Sequence, residues 1–202
     1  MKNYTKFWVL LLVVFCGGVH ASMQSPQDLI ETTANQVLEK LTNEKALISK
    51  EPERVYDLVN EFILPHFDFE RMSKWVLGKY WRRTNAEQKV RFVEEFRTLL
   101  VRTYASSLAE YTDKKINYLP FRDDVSSGDV TVRSEIDQPG GFPIPINYRL
   151  QKNGETWKVY DVTIDDISLV ANYRSSFSKE IRNAGIDKLI STLADRNKQH
   201  AP

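Results

Sequence analysis

The chain is poor in the residues on which most site chemistry depends. Of its 202 residues one is cysteine, Cys16, and three are histidine: His20, His66 and His200. Cys16 lies in an apolar leader, so the portion that follows has no thiol, which excludes disulfides and thiolate metal sites there. His200 sits in the polar C-terminal tail, and His66 alone cannot build a histidine metal centre; in its aromatic context it reads as a structural, hydrogen-bonded residue. No G-x-S-x-G, G-x-G-x-x-G or G-x-x-x-x-G-K occurs, which removes the common nucleophile and phosphate-cradling motifs. The one notable acidic cluster is Asp161, Asp165 and Asp166. A calcium loop wants more oxygen ligands and usually a turn glycine, so Asp165-Asp166 reads as a turn and helix entry. Charge of one sign is also absent: 28 basic residues face 27 acidic ones. Bulk charge therefore gives no attraction for nucleic acid.

What the chain does have begins with a leader. Lys2 and Lys6 precede an unbroken apolar run, Phe7 to Cys16, and Val19-His20-Ala21 offers a signal-peptidase site. The run is too short for a membrane span, which needs about 20 apolar residues. Acylation at Cys16 would favour a small preceding residue, and Phe15 stands there. Residues 1–21 thus read as a cleaved signal peptide, and 22–202 as a single exported, soluble α+β domain. Without disulfides it must be stabilised by its own core, and it is long enough to build one.

Hydrophobic period divides this domain in three: helical over 22–112, sheet over 115–165, helical over 168–197. Ser25-Pro26-Gln27-Asp28 is a helix start, with Leu29, Ile30, Val37, Leu38 and Leu41 at helical spacing. Glu51-Pro52 opens a second helix carrying Val55, Leu58, Val59, Phe62 and Ile63, stopped by Pro65. Asp68 caps a third that ends at Gly78. Thr84-Asn85-Ala86-Glu87 resembles a capping box before the longest helix, to about Thr112, with Val90, Phe92, Phe96, Leu99, Leu100, Tyr104 and Tyr111 among a stripe wider than one face. The period then becomes two. Val130, Val132, Ser134 and Ile136 alternate with polar residues, as do Ile144, Ile146, Tyr148 and Leu150. Asn153-Gly154 marks a hairpin before a strand over Thr156 to Ile164, whose mixed facing predicts a bulge near Tyr160 or burial of both faces. With Ile116 to Phe121 this makes about four antiparallel strands, packed on one face by helices. Arg174 is placed to pair with Asp161 or Asp165 and so fix the last helix to the sheet.

The most telling stretch is Phe62 to Trp81, FILPHFDFERMSKWVLGKYW, rich in aromatics and broken by Pro65 and Gly78. So much apolar surface either builds a core or lines a space that something else fills. This stretch, with EQKVRFVEEFRTLLVRTY (Glu87 to Tyr104), WKVYDVTID (Trp157 to Asp165), SLVANYRSSF (Ser168 to Phe177) and GIDKLI from Gly185, resembles the MlaC, or toluene-tolerance auxiliary, family. The likeness is collinear over essentially the whole exported domain. Asp166 departs from the family pattern, where glycine is expected. The resemblance implies a periplasmic phospholipid carrier of Gram-negative bacteria, not an enzyme. It implies an outer-membrane lipoprotein–porin complex and an inner-membrane ABC transporter complex with a periplasmic substrate-binding subunit as partners. Such a carrier helps to maintain lipid asymmetry of the outer membrane. No cofactor is implied; bound phospholipid is cargo, and a monomer is expected.

Physics suits that role. Burying the roughly 30 methylenes of a diacyl lipid at about 0.8 kcal/mol each is worth on the order of 20 kcal/mol. A dry cleft of at least the upper end of the usual range, about 1,000 Å³, is expected, without polar recognition of the tails. The expected lining is Val130, Val132, Ile144, Ile146, Tyr148 and Val162 from the strands, Phe96, Leu99, Leu100 and Tyr104 from the long helix, and Leu169, Tyr173 and Phe177 after them. Val76, Leu77 and Trp81 are placed to close one end. Taken singly, each of these fits ordinary core better than lipid contact, and the carrier reading needs only some of them to border an open cavity. Two other readings stay open: an enzyme of a cone-shaped α+β fold acting on a small apolar substrate, with Asp161 as its acid, and an adaptor with a solid interior.

Overall fold

The computed structural model describes residues 23–199 apart from positions 111 and 113. The expected leader, Tyr111 and His200 lie outside the described residues. Helix α1 (Pro26–Asn43) starts as the sequence dictates: the Ser25 hydroxyl accepts a hydrogen bond from the Asp28 N–H, with proline in the first turn. A short α2 (Lys45–Ile48) follows. The helix expected from Glu51 to Pro65 is instead three pieces: α3 (Arg54–Leu58), a π-helical turn (Val59–Ile63) and a 3₁₀ turn (Leu64–His66). Pro65 cannot donate to an α-helical ladder, and the chain widens and then tightens around it.

Helix α4 (Phe69–Leu77) is capped by Asp68, which accepts from the Arg71 N–H at 2.8 Å, and ends at Gly78 with φ 53°. A 3₁₀ turn (Gly78–Arg83) leads to α5 (Ala86–Glu110). Its capping box is formed one residue later than the Thr84 pattern suggests. The Asn85 side chain accepts from the Gln88 N–H at 2.8 Å, and the Gln88 side chain accepts from the Asn85 N–H at 3.1 Å. The Thr84 hydroxyl donates back to the Tyr80 carbonyl. Val90, expected inward, is exposed, because it stands on the face of α5 turned away from its neighbours.

The sheet is a meander, β1 (Ile116–Tyr118), β2 (Asp129–Ile136), β3 (Ile144–Asn153), β4 (Thr156–Ile164) and β5 (Ile167–Ser168), all neighbours antiparallel. The fold is α+β as expected, with one strand more. Two residues carry no period, so β5 was invisible to pattern. It forms because Asp165 (φ 49°) and Asp166 (φ 61°) close a two-residue hairpin of the left-handed type. The register of β3 on β4 shifts between Arg149 and Leu150, leaving Tyr160 as the extra residue. This bulge lets Val159 and Val162 border one space while Tyr160 reaches the helical cluster.

Helix α6 (Leu169–Gln199) is two helical segments joined at Gly185, whose φ 84°, ψ 170° interrupts the helix where the sequence predicts a pause. The Ser168 hydroxyl accepts from the Ala171 N–H and donates to Asp161, and Asp161 also accepts from the Val170 N–H at 3.1 Å. Asp161 thus fastens the start of α6 to β4. Arg174 does not do this. Its guanidinium lies over Gly78, within about 3.2 Å of where a β-carbon would be, so the expected pairing with Asp161 or Asp165 is replaced by a close approach to α4.

The core has three parts. One joins α4, α5 and α6 through Met72, Val76, Leu77, Phe92, Phe96, Phe177, Leu189, Ile190 and Leu193. A second sets α1 against the sheet through Leu29, Ile30, Val130, Val132, Leu150, Val159 and Val162. A third packs α1 on α3 and the π turn. Helix α5 packs chiefly against α3, α4 and α6 rather than the strands, and that separation positions the site.

Candidate functional site: an apolar cavity between sheet and helices

Between α5, α1, the irregular turns after α3 and the inner face of the sheet lies a cavity of about 430 Å³. Its floor is period-two strand surface: Ile116, Ile136, Ile144, Ile146, Tyr148, Val159, Val162 and Ile164 border it. Register explains the grouping. Ile116 pairs with Ile136 and Ile136 with Ile144, while Ile146 pairs with Ile164, and directly opposed residues share a face. The roof is Leu100, Val101, Tyr104, Ala105 and Leu108 of α5, and α1 supplies Ile30, Thr33, Ala34, Val37 and Leu38. The π and 3₁₀ turns bring Val59, Ile63, Leu64, His66 and Phe67 to one wall.

Polar groups are few. Thr33, Ser107, His66 and the hydroxyls of Tyr104 and Tyr148 are the side-chain ones. Burial, then the neighbouring Tyr173, pushes the Tyr104 hydroxyl up to about 12, and burial also raises that of Tyr148. Both stay neutral donors. Burial, then Lys158, lowers the His66 imidazole below its ordinary value; the Lys158 ammonium donates to the adjacent Pro65 carbonyl. The lining is therefore uncharged near neutral pH, and it offers hydrocarbon contact with almost no fixed direction. Among the described residues no group of three or more His, Cys, Asp or Glu could hold a metal ion.

Of the residues expected to line the space, Leu100, Tyr104, Ile144, Ile146, Tyr148, Val162 and Leu169 border it. Val130 and Val132 are buried between α1 and the sheet. Val76, Leu77, Phe96 and Phe177 belong to the solid core of α4, α5 and α6, with Trp81, Leu99 and Tyr173 packed on it. There the Phe96, Tyr173 and Phe177 rings contact one another at 5.4–6.0 Å. These aromatics occupy the volume that sequence reasoning assigned to the cleft, which is why the cavity is smaller than the expected ~1,000 Å³ while still within the usual pocket range. The α1 face and the wall from Val59 to Phe67 were missed as lining. Their signal was present, in the helical stripe of α1 and the aromatic stretch broken by Pro65, but period alone does not say which partner a stripe meets.

This geometry defines a class: an α+β container whose long helix stands off a meander sheet, leaving an apolar hollow. The model of the family described as MlaC protein matches residues 31–195, and the chain belongs to the MlaC family. It is 28% identical over 189 residues to the toluene tolerance protein ttg2D of Pseudomonas putida, covering 92% of this chain and 87% of that one. It is 26% identical over 172 residues to the intermembrane phospholipid transport system binding protein MlaC of Haemophilus influenzae, covering 84% and 80%. Among solved structures it resembles the phospholipid-binding protein from Ralstonia solanacearum in complex with a phospholipid. That match has a TM-score of 0.81 and 32% identity, over 89% of this chain and all of the other.

Proposed function

We propose that this protein is a periplasmic phospholipid carrier that holds acyl chains in the cavity under α5. It shuttles lipid between an outer-membrane lipoprotein–porin complex and an inner-membrane ABC transporter complex with a periplasmic substrate-binding subunit. The supporting observation is an uncharged, hydrocarbon-lined cavity in a fold matching a protein solved with phospholipid bound. Membership of the MlaC family and the name of the Haemophilus influenzae relative support the transport role. Among the described residues no helix is long and apolar enough to cross a membrane. A lipid carried through water has to be sheltered, since the hydrophobic cost of exposing its tails is on the order of 20 kcal/mol.

The enzyme reading rested on Asp161. Its carboxylate is engaged by the Ser168 hydroxyl at 2.6 Å and the Val170 N–H, the work of a helix cap at a strand–helix junction. An adaptor with a solid interior fits less well than a container, because the cavity separates α5 from the strands. Extraction and native mass spectrometry of protein purified from a periplasm test the proposal. Near-stoichiometric phospholipid is expected, and uniformly lipid-free protein after gentle preparation would overturn it.

A further inference from the structure

One surface away from the cavity carries charge and an aromatic side chain that the lipid-holding role leaves unused. On α4 the i, i+3, i+4 spacing puts Arg71, Lys74, Trp75 and Gly78 along one face. Trp75 is 44% exposed, although its ring stacks on buried Tyr160 at 6.4 Å. The guanidinium groups of Arg71 and Arg149 lie 5.0 and 4.9 Å from the same tyrosine ring. At the far end of the row the exposed Arg174 covers Gly78. Arg71 and Arg149 thus flank the tyrosine on which the exposed indole stacks, Lys74 shares its helix face, and Arg174 closes the row at Gly78.

These cations are poorly neutralised from within the molecule. Among the described residues, no ion pair within 4.0 Å involves Arg71, Lys74 or Arg174, and Arg149 reaches Asp129 only at 3.7 Å. Asp129 is itself occupied, accepting the Tyr160 hydroxyl through both oxygens at 2.8 and 2.9 Å. The Arg71 Nε is buried without a hydrogen-bond partner. Between Phe69 and Arg83 the basic residues Arg71, Lys74, Lys79, Arg82 and Arg83 face one acid, Glu70.

We infer that this face of α4 docks a folded protein partner whose surface presents Asp and Glu carboxylates around an apolar socket for Trp75. Trp and Arg in a central cluster are the residue types that carry interface energy, and unpaired surrounding cations give steering and register. A bilayer is the weaker occupant. Guanidinium forks held against a tyrosine ring suit bidentate carboxylates fixed in a partner. The isoleucine rows Ile116–Ile136–Ile144 and Ile146–Ile164 lie toward one end of the sheet, whereas Asp129 and Gln151 pair at the other, on the Tyr160 side. The surface can thus be held while the isoleucine-lined end of the cavity stays free. The inference rests on the carrier reading for its choice of candidate partners.

The test measures binding of the exported protein to the two purified membrane complexes of the same bacterium, each in nanodiscs. Binding to vesicles of phosphatidylethanolamine, with and without phosphatidylglycerol, is measured alongside. Trp75→Ala and Lys74→Glu are the variants; the second alters an exposed side chain and guards against misfolding. Tighter binding at low salt to one complex, weakened about tenfold in both variants, is expected. Binding to both complexes within about twofold of wild type in both variants overturns the proposal. So does a wild-type protein that binds neither complex, or variants whose loss is confined to phosphatidylglycerol vesicles. Phospholipid content of every protein is assayed separately. Its absence from the wild type would sink the carrier reading, whatever the fate of this surface.

Discussion

At Asp166 the backbone takes φ 61° beside Asp165 at φ 49°, a conformation costing an L-residue about 1–2 kcal/mol and aspartate somewhat less. Glycine, expected there from the family pattern, would escape that cost but add freedom to the unfolded chain. Asp166→Gly is therefore expected to stabilise by about 0.5–1 kcal/mol, a Tm gain of about 1–4 °C in thermal melts; a lower Tm would refute the strain argument. At His66 the sign is set by desolvation. The folded pKa lies below the unfolded value, so the unfolded chain takes up the proton first as pH falls. Stability is fully present above about 6.5 and declines as pH drops through that value toward the folded pKa. Wild-type Tm should fall more steeply than that of His66→Gln over this window, and the imidazole midpoint by NMR should lie below 6.5. A midpoint at or above that value would contradict the burial of His66 at the cavity wall.

At the scale of elements, breaks matter more than lengths. The π turn, the 3₁₀ turn and the β4 bulge each bend a regular element so that Val59, Ile63, Val159 and Val162 face one space. Gly185 separates a first half of α6, tied to the sheet by Asp161 and Ser168, from a second half whose Leu189, Ile190 and Leu193 are fully buried. Its φ 84°, ψ 170° lies in a region populated essentially by glycine alone, and a β-carbon there would meet nothing within 4 Å. Gly185→Ala is thus expected to cost about 1–3 kcal/mol through the backbone only. Denaturant melts should show a lower midpoint with an unchanged slope. No loss of stability would mean that the junction relaxes freely. The same elements measure how much was legible. Helix caps at Ser25 and Asp68, strand faces, the bulge and the pause at Gly185 were readable because each is encoded within a few residues. The offset capping box, β5 and the splitting of the second helix were not, since competing local signals are decided by the neighbours they pack against.

For the whole molecule, the decisive contrast is between core and cavity wall, which share one chemistry. Phe96 lies in the solid cluster between α4, α5 and α6, whereas Ala34 borders the cavity. Phe96→Ala is expected to cost about 3–5 kcal/mol while each folded molecule keeps its phospholipid. Ala34→Phe should cost no more than a small-to-large change does, about 1–3 kcal/mol, yet lose most of its lipid, because the ring fills part of a 430 Å³ space. Lipid phosphorus per folded protein, read beside thermal melts, checks both. Parallel loss of lipid and stability in the two variants would erase the distinction between the sites.

The amino-acid sequence by itself determined the family, the order of helices and strands, which residues alternate to one face of the sheet, and the scarcity of reactive groups. The family follows from the collinear likeness of its motifs, and the rest from short-range period, turn chemistry and composition. Only the tertiary structure decided that aromatics from α5 and α6 close on one another while α5 stands off the strands, and that α1 and the turns around Pro65 complete the wall. Apolar side chains carry no directional preference, so whether a stripe meets another stripe or a hollow is fixed by the placement of distant segments in space.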